Sequence, residues 1–189
     1  MPVFLKYENV QIAGSFKIRG IGHFCQQMAK RGCRHLVCSS GGNAGIAAAY
    51  SARKLGIPVT IVLPEGTSVQ VVRRLEGEGA EVQLTGKVWD EANVKAQELA
   101  TRDGWVNVSP FDHPLIWEGH ASLVRELKES LGTPPGAVVL AAIYSGILWR
   151  LQAEGRLSSA LASVVVIVCG GNNISSQQLQ ELKIQLGCS

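Results

Sequence analysis

Short apolar runs alternate with helical patterns along most of this chain of 189 residues. Strands are predicted at residues 3–5, 35–38, 58–63, 81–84, 105–108, 137–140 and 163–169. Helices are predicted between and after them, at residues 15–30, 43–55, 68–76, 89–102, 113–131 and 175–186. Continuous apolar strands separated by helices are typical of a parallel sheet that helices cover on both faces. We therefore expect an α/β fold with a twisted parallel sheet.

The charges of the chain are few and scattered. Charged residues make up 17% of the sequence and the net charge is +3, and basic residues such as Arg19 form no stripe. A solvated surface explains these residues better than a nucleic-acid or membrane partner does. No stretch of 18 residues is uninterruptedly apolar, so no transmembrane helix is predicted.

The five cysteines are an odd number, and the N terminus carries no apolar leader segment. Both observations favour a cytoplasmic protein with reduced thiols. Cys25, Cys33 and Cys38 contain no C-x-x-C pair, and His113 and His120 have no third ligand nearby in the sequence. No metal site is therefore predicted.

Lys17 follows Gly14, Ser15 and Phe16 at the start of a predicted helix. An isolated lysine in the first turn of a helix is usually a solvated surface residue. Apolar surroundings, however, lower the pKa of an ammonium group and leave a free amine that attacks carbonyl groups. The aromatic neighbour and the small residues before it therefore mark Lys17 as a candidate for bonding an aldehyde cofactor.

A loop of small residues, Ser-Ser-Gly-Gly-Asn-Ala-Gly at 39–45, connects a predicted strand with a predicted helix. A tight turn explains this pattern by itself, with glycines at positive φ and Asn43 as the N-cap residue of the helix. The N–H groups at a helix N-terminus also form a cradle for a carboxylate or a phosphate. The loop matches neither G-x-G-x-x-G nor a Walker motif, so nucleotide binding would rest on fold analogy alone.

Cys169 stands at the carboxyl end of a predicted strand and is followed by Gly-Gly-Asn. Ligands of open α/β sheets bind at such strand ends. A lone cysteine at this place is nevertheless more often a small packed apolar residue.

Three motifs together resemble the pyridoxal phosphate (PLP)-dependent serine/threonine dehydratases of fold type II, and most of all the liver-type serine dehydratase group. They are Gly-Ser-Phe-Lys-Ile-Arg-Gly at 14–20, Ser-Ser-Gly-Gly-Asn-Ala-Gly at 39–45 and Cys-Gly-Gly-Asn at 169–172. The resemblance implies β-elimination from L-serine to give pyruvate and ammonia, and from L-threonine to give 2-oxobutyrate.

The resemblance also implies a role for each site residue. Lys17 would bond the aldehyde of PLP and abstract the Cα proton, and Phe16 would pack against the cofactor ring. Asn43 would hydrogen-bond the 3-hydroxyl, and Cys169 would face the pyridine nitrogen as a weak donor. The substrate carboxylate would lie against Ser40, Gly41, Gly42, Asn43 and Ala44.

Related serine racemases carry a serine at the position of Gly41 and a histidine at the position of Ala44. Glycine cannot transfer a proton, so the resemblance favours elimination over racemisation. The expected partners are small amino-acid substrates and, in a homodimer, a second copy of the chain.

The resemblance is interrupted directly after residue 140. Family members are much longer. After the strand that corresponds to residues 136–140 they carry a tetraglycine loop, which binds the cofactor phosphate. In this chain residues 137–140 run into a helical pattern with no turn residue before Ser145. We therefore expect a single truncated enzyme region over 1–189. A small-domain-like portion would span approximately 40–110, and residues 1–39 and 111–189 would form an incomplete large domain.

Two functions remain open. One is the dehydratase activity of the family. The alternative is a catalytically silent chain that binds PLP weakly or not at all and acts only by pairing with full-length subunits. The apparent loss of the phosphate-binding loop favours this alternative, because phosphate contacts supply much of a cofactor's anchoring.

Overall fold

The computed structural model describes residues 2–140 and 163–170. The strands are β1 Val3–Tyr7, β2 His35–Cys38, β3 Val59–Leu63, β4 Glu81–Leu84, β5 Trp105–Asn107, β6 Ala137–Val139 and β7 Val164–Val168. The helices are α1 Lys17–Lys30, α2 Asn43–Leu55, α3 Val69–Gly77, α4 Trp89–Leu99 and α5 Pro114–Leu131, with a 3₁₀ turn at Glu8–Val10. The predicted elements in this part of the chain are confirmed to within three residues at each end. The helix predicted at 175–186 and the joint predicted after residue 140 lie outside the described residues.

Four parallel strands form one sheet in the order β4-β3-β2-β5. Successive side chains of a strand point to opposite faces, and all five residues of β3 are buried. On one face α4 packs Ala92 and Ala96 against Val37 and Val62. On the other face the alanines of α2 and the buried Leu75 of α3 pack against the sheet. Helices therefore cover this sheet on both sides, as its continuous apolar strands predict.

Three further parallel strands form a second sheet in the order β1-β7-β6. Val165 and Ile167 of β7 pack against Leu123, Val124 and Leu127 of α5. Val164, Val166 and Val168 of β7 point to the opposite face of this sheet. That face also carries exposed apolar side chains of β1 and β6, which are Val3, Leu5, Tyr7 and Val139. The prediction of a parallel α/β fold is confirmed, with the strands divided between two sheets. The domain boundaries near residues 40 and 110 stay a prediction, and β2, which ends before residue 40, belongs to the four-stranded sheet.

Helix α1 lies between α2 and α5 and crosses α5 closely. Two glycines permit this crossing: a Cβ added to Gly119 would lie 2.7 Å from Gly20 Cα, and one added to Gly20 would lie 2.5 Å from the carbonyl oxygen of Ile116. Side chains of any size at these positions would push the helices apart. The first turn of α1, which begins with Lys17, is therefore held directly against α5.

Arg19 belongs to an ion-pair network. The sequence predicts a solvated surface residue at this position, and this prediction is wrong. Its guanidinium donates to Glu8 Oε2 at 2.7 Å and to Glu126 Oε1 at 2.7 Å. Glu8 is fully buried, and Lys6 also pairs with Glu126. The hydrogen bond from Arg19 lowers the pKa of Glu126 to about 2. The network joins the turn after β1, the first turn of α1 and the middle of α5.

Candidate active site

Lys17 is the first residue of α1 and is buried, with 8% of its surface exposed. Its ammonium group Nζ donates a hydrogen bond to the carbonyl oxygen of Pro110 at 2.7 Å. Burial lowers the pKa of Lys17, and the nearby Cys38 sulfur opposes this shift only in part. The side chain therefore has the property predicted for it, because a desolvated amine gives up its proton more readily than a solvated one.

The two residues that precede Lys17, Ser15 and Phe16, are paired with the residues that follow β7. The Phe16 N–H donates to the carbonyl oxygen of Cys169 at 3.0 Å, and Ser15 forms an antiparallel bridge with Gly170. This attachment explains why α1 begins at Lys17 and not at Ser15, where the sequence predicts its start. The buried ring of Phe16 lies 4.9 Å from the ring of His120, measured between centroids.

The loop at 39–45 has the predicted position but not all of the predicted local geometry. The N-cap residue of α2 is Gly42, and Asn43 is the first residue inside the helix, so the N-cap prediction for Asn43 is wrong. None of the loop glycines has a positive φ. Gly45 is required for another reason: a Cβ there would overlap the carbonyl oxygen of Ser40, which lies against the first turn of the helix.

The three sequence motifs meet at one place. A Cβ added to Gly170 would lie 2.9 Å from Ser15 Cβ and 3.1 Å from Asn43 Nδ2. One residue from each of the motifs at 14–20, 39–45 and 169–172 therefore lies at this point. Lys17 is electrostatically coupled to Cys38, which immediately precedes the loop. Ser40, Gly41, Gly42 and Asn43 are half-buried and Ala44 is buried. The roles of these residues in holding a substrate stay predictions.

Gly41 faces the α3 side of the loop. A Cβ at this position would lie 3.0 Å from Val71 Cγ1 and 3.3 Å from Leu63 Cδ2. A side chain at position 41 therefore requires these two residues to shift by a few tenths of an ångström.

The described residues fit PLP. Lys17 offers a buried amine of lowered pKa, and the buried Ser15 hydroxyl beside it has no hydrogen-bond partner among the described residues. Cys169 is half-buried, and its thiol donates to the carbonyl oxygen of Ile167 at 3.3 Å. Gly171 and Asn172 of the third motif lie outside the described residues. Lys17, Phe16, Asn43 and Cys169 are the residues that would hold the cofactor, which supplies an electron-withdrawing ring.

Sequence reasoning missed three neighbours of Lys17. They are Pro110, which accepts its hydrogen bond, Cys38, whose sulfur interacts with its charge, and His120, whose ring lies tilted at 48° against that of Phe16. Burial is the main reason that the pKa of His120 falls to about 3 and that the pKa of Cys38 rises to about 12. These contacts join residues distant in the sequence, and no local pattern signals them.

The part of the chain that the structure describes contains neither a metal-binding group of side chains nor a helix that could span a membrane. No group of three or more His, Cys, Asp or Glu residues in the described ranges could hold a metal ion. No described helix combines the length and the apolar character that crossing a membrane requires.

Comparisons with known proteins agree with the geometry. The model of the family described as "Pyridoxal-phosphate dependent enzyme" matches residues 1–149. The mouse protein named serine dehydratase-like is 63% identical, over 100% of this chain and 91% of its own length. Mouse L-serine dehydratase/L-threonine deaminase is 39% identical, over 98% of this chain and 90% of its own length.

A solved structure, that of the fungal L-serine ammonia-lyase from Rhizomucor miehei, superposes with a TM-score of 0.75 at 33% identity. It matches 98% of this chain, which spans 58% of the fungal chain. The alignment with the mouse serine dehydratase-like protein runs over 298 positions, so at least 109 of them (298 less 189) have no residue of this chain opposite them. These matches, the parallel α/β fold and the meeting of the three motifs near the start of α1 lead to one conclusion: the chain belongs to the family of pyridoxal-phosphate dependent enzymes.

Proposed function

We propose that the site carries out PLP-dependent β-elimination from L-serine, giving pyruvate and ammonia, and from L-threonine, giving 2-oxobutyrate. The observation that carries the proposal is the buried Lys17 amine of lowered pKa, in a motif whose Ser15 lies against Gly170 of the third motif, next to Asn43 of the second. The names of the relatives support the same reaction class. The elimination removes water and the later hydrolysis adds it back, so serine yields one pyruvate and one ammonia.

Lys17 acts as the base of the reaction. When bound, PLP withdraws electrons from the substrate Cα and so makes its proton acidic. The lowered pKa keeps a larger fraction of Lys17 Nζ unprotonated near neutral pH, which is the form that accepts this proton. The carbonyl oxygen of Pro110 is a hydrogen-bond acceptor that orients Nζ, and it stabilises the amine after it has taken the proton.

The loop at 39–45 binds the substrate carboxylate. The first N–H groups of α2 have no acceptor inside the helix and carry the positive end of its dipole. Asn43 and Ala44 begin this helix, and Ser40, Gly41 and Gly42 form the turn that leads into it, where the Gly42 N–H donates to Ser40 Oγ at 3.3 Å. Asn43 would also contact the cofactor hydroxyl. Gly41 cannot take up or deliver a proton, and Ala44 cannot either, so the site favours elimination over racemisation.

Phe16 and Cys169, which lie on the side of the three-stranded sheet, would hold the cofactor ring. Phe16 is packed by His120 and by the apolar side chains of α5 and β7, so its ring presents a rigid surface. A thiol is a weak donor to the ring nitrogen, which leaves the nitrogen largely unprotonated and the electron withdrawal moderate. Moderate withdrawal suits loss of a β-hydroxyl group.

The test compares the unsubstituted chain with Lys17→Ala in the presence of PLP and L-serine. We expect pyruvate only from the unsubstituted chain, together with an absorbance band of the lysine-bound cofactor that Lys17→Ala lacks. Borohydride reduction in the presence of PLP should label Lys17. Pyruvate formation no faster than that of Lys17→Ala, or labelling of a different lysine, would overturn the proposal.

A second candidate is a catalytically silent chain that pairs with full-length subunits. The observation that favours it is the gap of at least 109 aligned positions, which is long enough to include the expected phosphate-binding glycine loop. In that case PLP dissociates on dialysis and no stoichiometric absorbance band remains. Tight, stoichiometric binding of PLP would rule this candidate out.

For both candidates we propose a cytoplasmic location, since all four described cysteines are free thiols.

A further inference from the structure

Helix α4 contacts the first residue of the substrate loop through two side chains. The indole Nε1–H of Trp89 donates to the carbonyl oxygen of Ser39 at 2.7 Å. The hydroxyl of Ser39 donates to Asn93 Oδ1 at 2.8 Å. Trp89 and Asn93 are four residues apart, so they lie one above the other on the same face of the helix. Ser39 is thereby held through both its main chain and its side chain.

The main chain at Ser39 is fixed from two directions. Its carbonyl oxygen is bonded to Trp89, and its side-chain hydroxyl is bonded to Asn93. Since the carbonyl oxygen belongs to the planar peptide group between Ser39 and Ser40, this group cannot rotate without losing the bond to Trp89. The direction of the chain into Gly41 and Gly42 is set at this point.

The anchor for these contacts is itself rigid. Asn93 follows Ala92, which is fully buried against β2 and β3 together with Ala96. The start of α4 is stabilised by Glu91, whose Oε2 accepts the main-chain N–H of Lys87 at 2.6 Å. Ser39 is 1% exposed, so no water competes for its two hydrogen bonds.

We propose that Trp89 and Asn93 are positioning residues that hold the loop at 39–45 in the shape that receives the substrate carboxylate. The inference rests on the proposed function for the identity of the ligand, and on the described contacts for the restraint of the loop. Neither residue touches the reacting atoms. Each acts through Ser39, and loss of either leaves the loop N–H groups free to turn away from the carboxylate.

The first experiment measures amide hydrogen exchange of residues 39–45 in the chain without ligands. Asn93→Ala and Trp89→Phe should raise the exchange rate of this segment about 10-fold, the equivalent of one lost hydrogen bond, with no change in β3. Gln97→Ala, at an exposed position one turn further along α4, is the control for Asn93. Trp117→Phe, at 40% exposure against 41% for Trp89, is the control for Trp89. Unchanged exchange, or equal changes in all four variants, would overturn the proposal.

The second experiment separates positioning from simple stabilisation. With PLP bound, Asn93→Ala and Trp89→Phe should raise KM for L-serine about 10-fold and change kcat and the PLP Kd by less than about 3-fold. Faster exchange in the loop without a change in KM would contradict the substrate role. If the unsubstituted chain binds no serine, the proposed function fails, and hydrogen exchange alone then decides whether the restraint exists.

A further variant keeps the test valid if Asn93→Ala folds poorly. Ser39→Ala removes only the hydroxyl and should reproduce the effects of Asn93→Ala. The double variant Ser39→Ala/Asn93→Ala should show no additional increase in exchange, since both changes delete the same hydrogen bond. Fully additive effects would mean that the two side chains do not act together, and would overturn the proposal.

Discussion

The two sheets consist of the same kind of parallel strand, yet they are covered differently. In the four-stranded sheet, helices pack on both faces and every residue of β3 is buried. In the three-stranded sheet, α5 covers one face, and among the described residues Val3, Leu5 and Val139 stay exposed on the other. The sheet that carries the loop at 39–45 is therefore covered on both faces, whereas the described residues cover only one face of the sheet to which the start of α1 is attached.

The largest effect is expected from a change beside the four-stranded sheet. Gly45→Ala places a methyl group on the carbonyl oxygen of Ser40 and should cost about 5 kcal/mol of unfolding free energy, because main-chain atoms cannot move aside easily. Urea denaturation and hydrogen exchange in β2 and β3 measure the loss. The control is Gly66→Ala, where an added Cβ meets no atom within 4 Å. Equal stability of the two variants would mean that the close approach does not constrain the loop.

The next effect concerns the ion-pair network that joins the end of β1 to α1 and α5. Arg19→Met removes two hydrogen bonds from the fully buried Glu8, which keeps Gln11 at 3.3 Å and Lys6 at 3.8 Å, and should cost about 3 kcal/mol in urea denaturation. Glu126→Gln is the control: Glu126 is partly exposed and Arg19 keeps Glu8, so the expected cost is below about 1 kcal/mol. Similar costs for both variants would show that burial of Glu8 is not the source of the effect.

A smaller effect should appear in acid. The buried His120 is neutral in the fold, with a pKa of about 3 against an ordinary value of 6.5, so the unfolded chain binds more protons below pH 6.5. Stability should fall as pH drops from 6.5 to 4.5, by at most about 1.4 kcal/mol per pH unit. Below 4.5 the loss of Glu126, whose pKa is lowered to about 2, adds to it.

His120→Gln should flatten the upper part of this pH profile. Burial also lowers the pKa of His35. The variant His35→Gln therefore measures how much of the pH dependence of the unfolding free energy comes from His35. An unchanged slope in His120→Gln would show that His120 is protonated in the fold at these pH values. Urea denaturation at half-unit pH steps provides the measurement.

The smallest effect is expected on the open face itself. Leu5 is 50% exposed, so Leu5→Thr should change the unfolding free energy by less than about 0.5 kcal/mol. Val165→Thr, on the covered face of the neighbouring strand, buries a hydroxyl group and should cost about 1–3 kcal/mol. A cost above 1 kcal/mol for Leu5→Thr would mean that this face is covered, and the contrast between the two sheets would disappear.

The sequence predicts the elements well because each depends on local patterns. β2, α2 and β4 begin and end at the predicted residues, since apolar runs and the alanine-rich helix are read directly from neighbouring positions. The start of α1 was misplaced because Ser15 and Phe16 are attached to β7, which no local signal reveals. The division into two sheets could not be predicted either, because strand partners are chosen by packing over the whole chain.

The site shows the same limit. Lys17 could be found from its neighbours in the sequence, and its burial confirms the expected lowering of its pKa. The burial of Arg19, the acceptor Pro110 and the two residues of α4 that hold Ser39 depend on long-range contacts. The reason for Gly45 is close approach and not a positive φ, a distinction that becomes visible only in three dimensions.

The attachment of Phe16 to Cys169 joins residues more than 150 positions apart. During synthesis Lys17 leaves the ribosome well before the strand that anchors it, because β7 is made more than 130 residues later. The first turn of α1 can therefore be anchored only after β7 has been made. A chain that stops short of β7 contains Lys17 without the strand that holds the start of its helix.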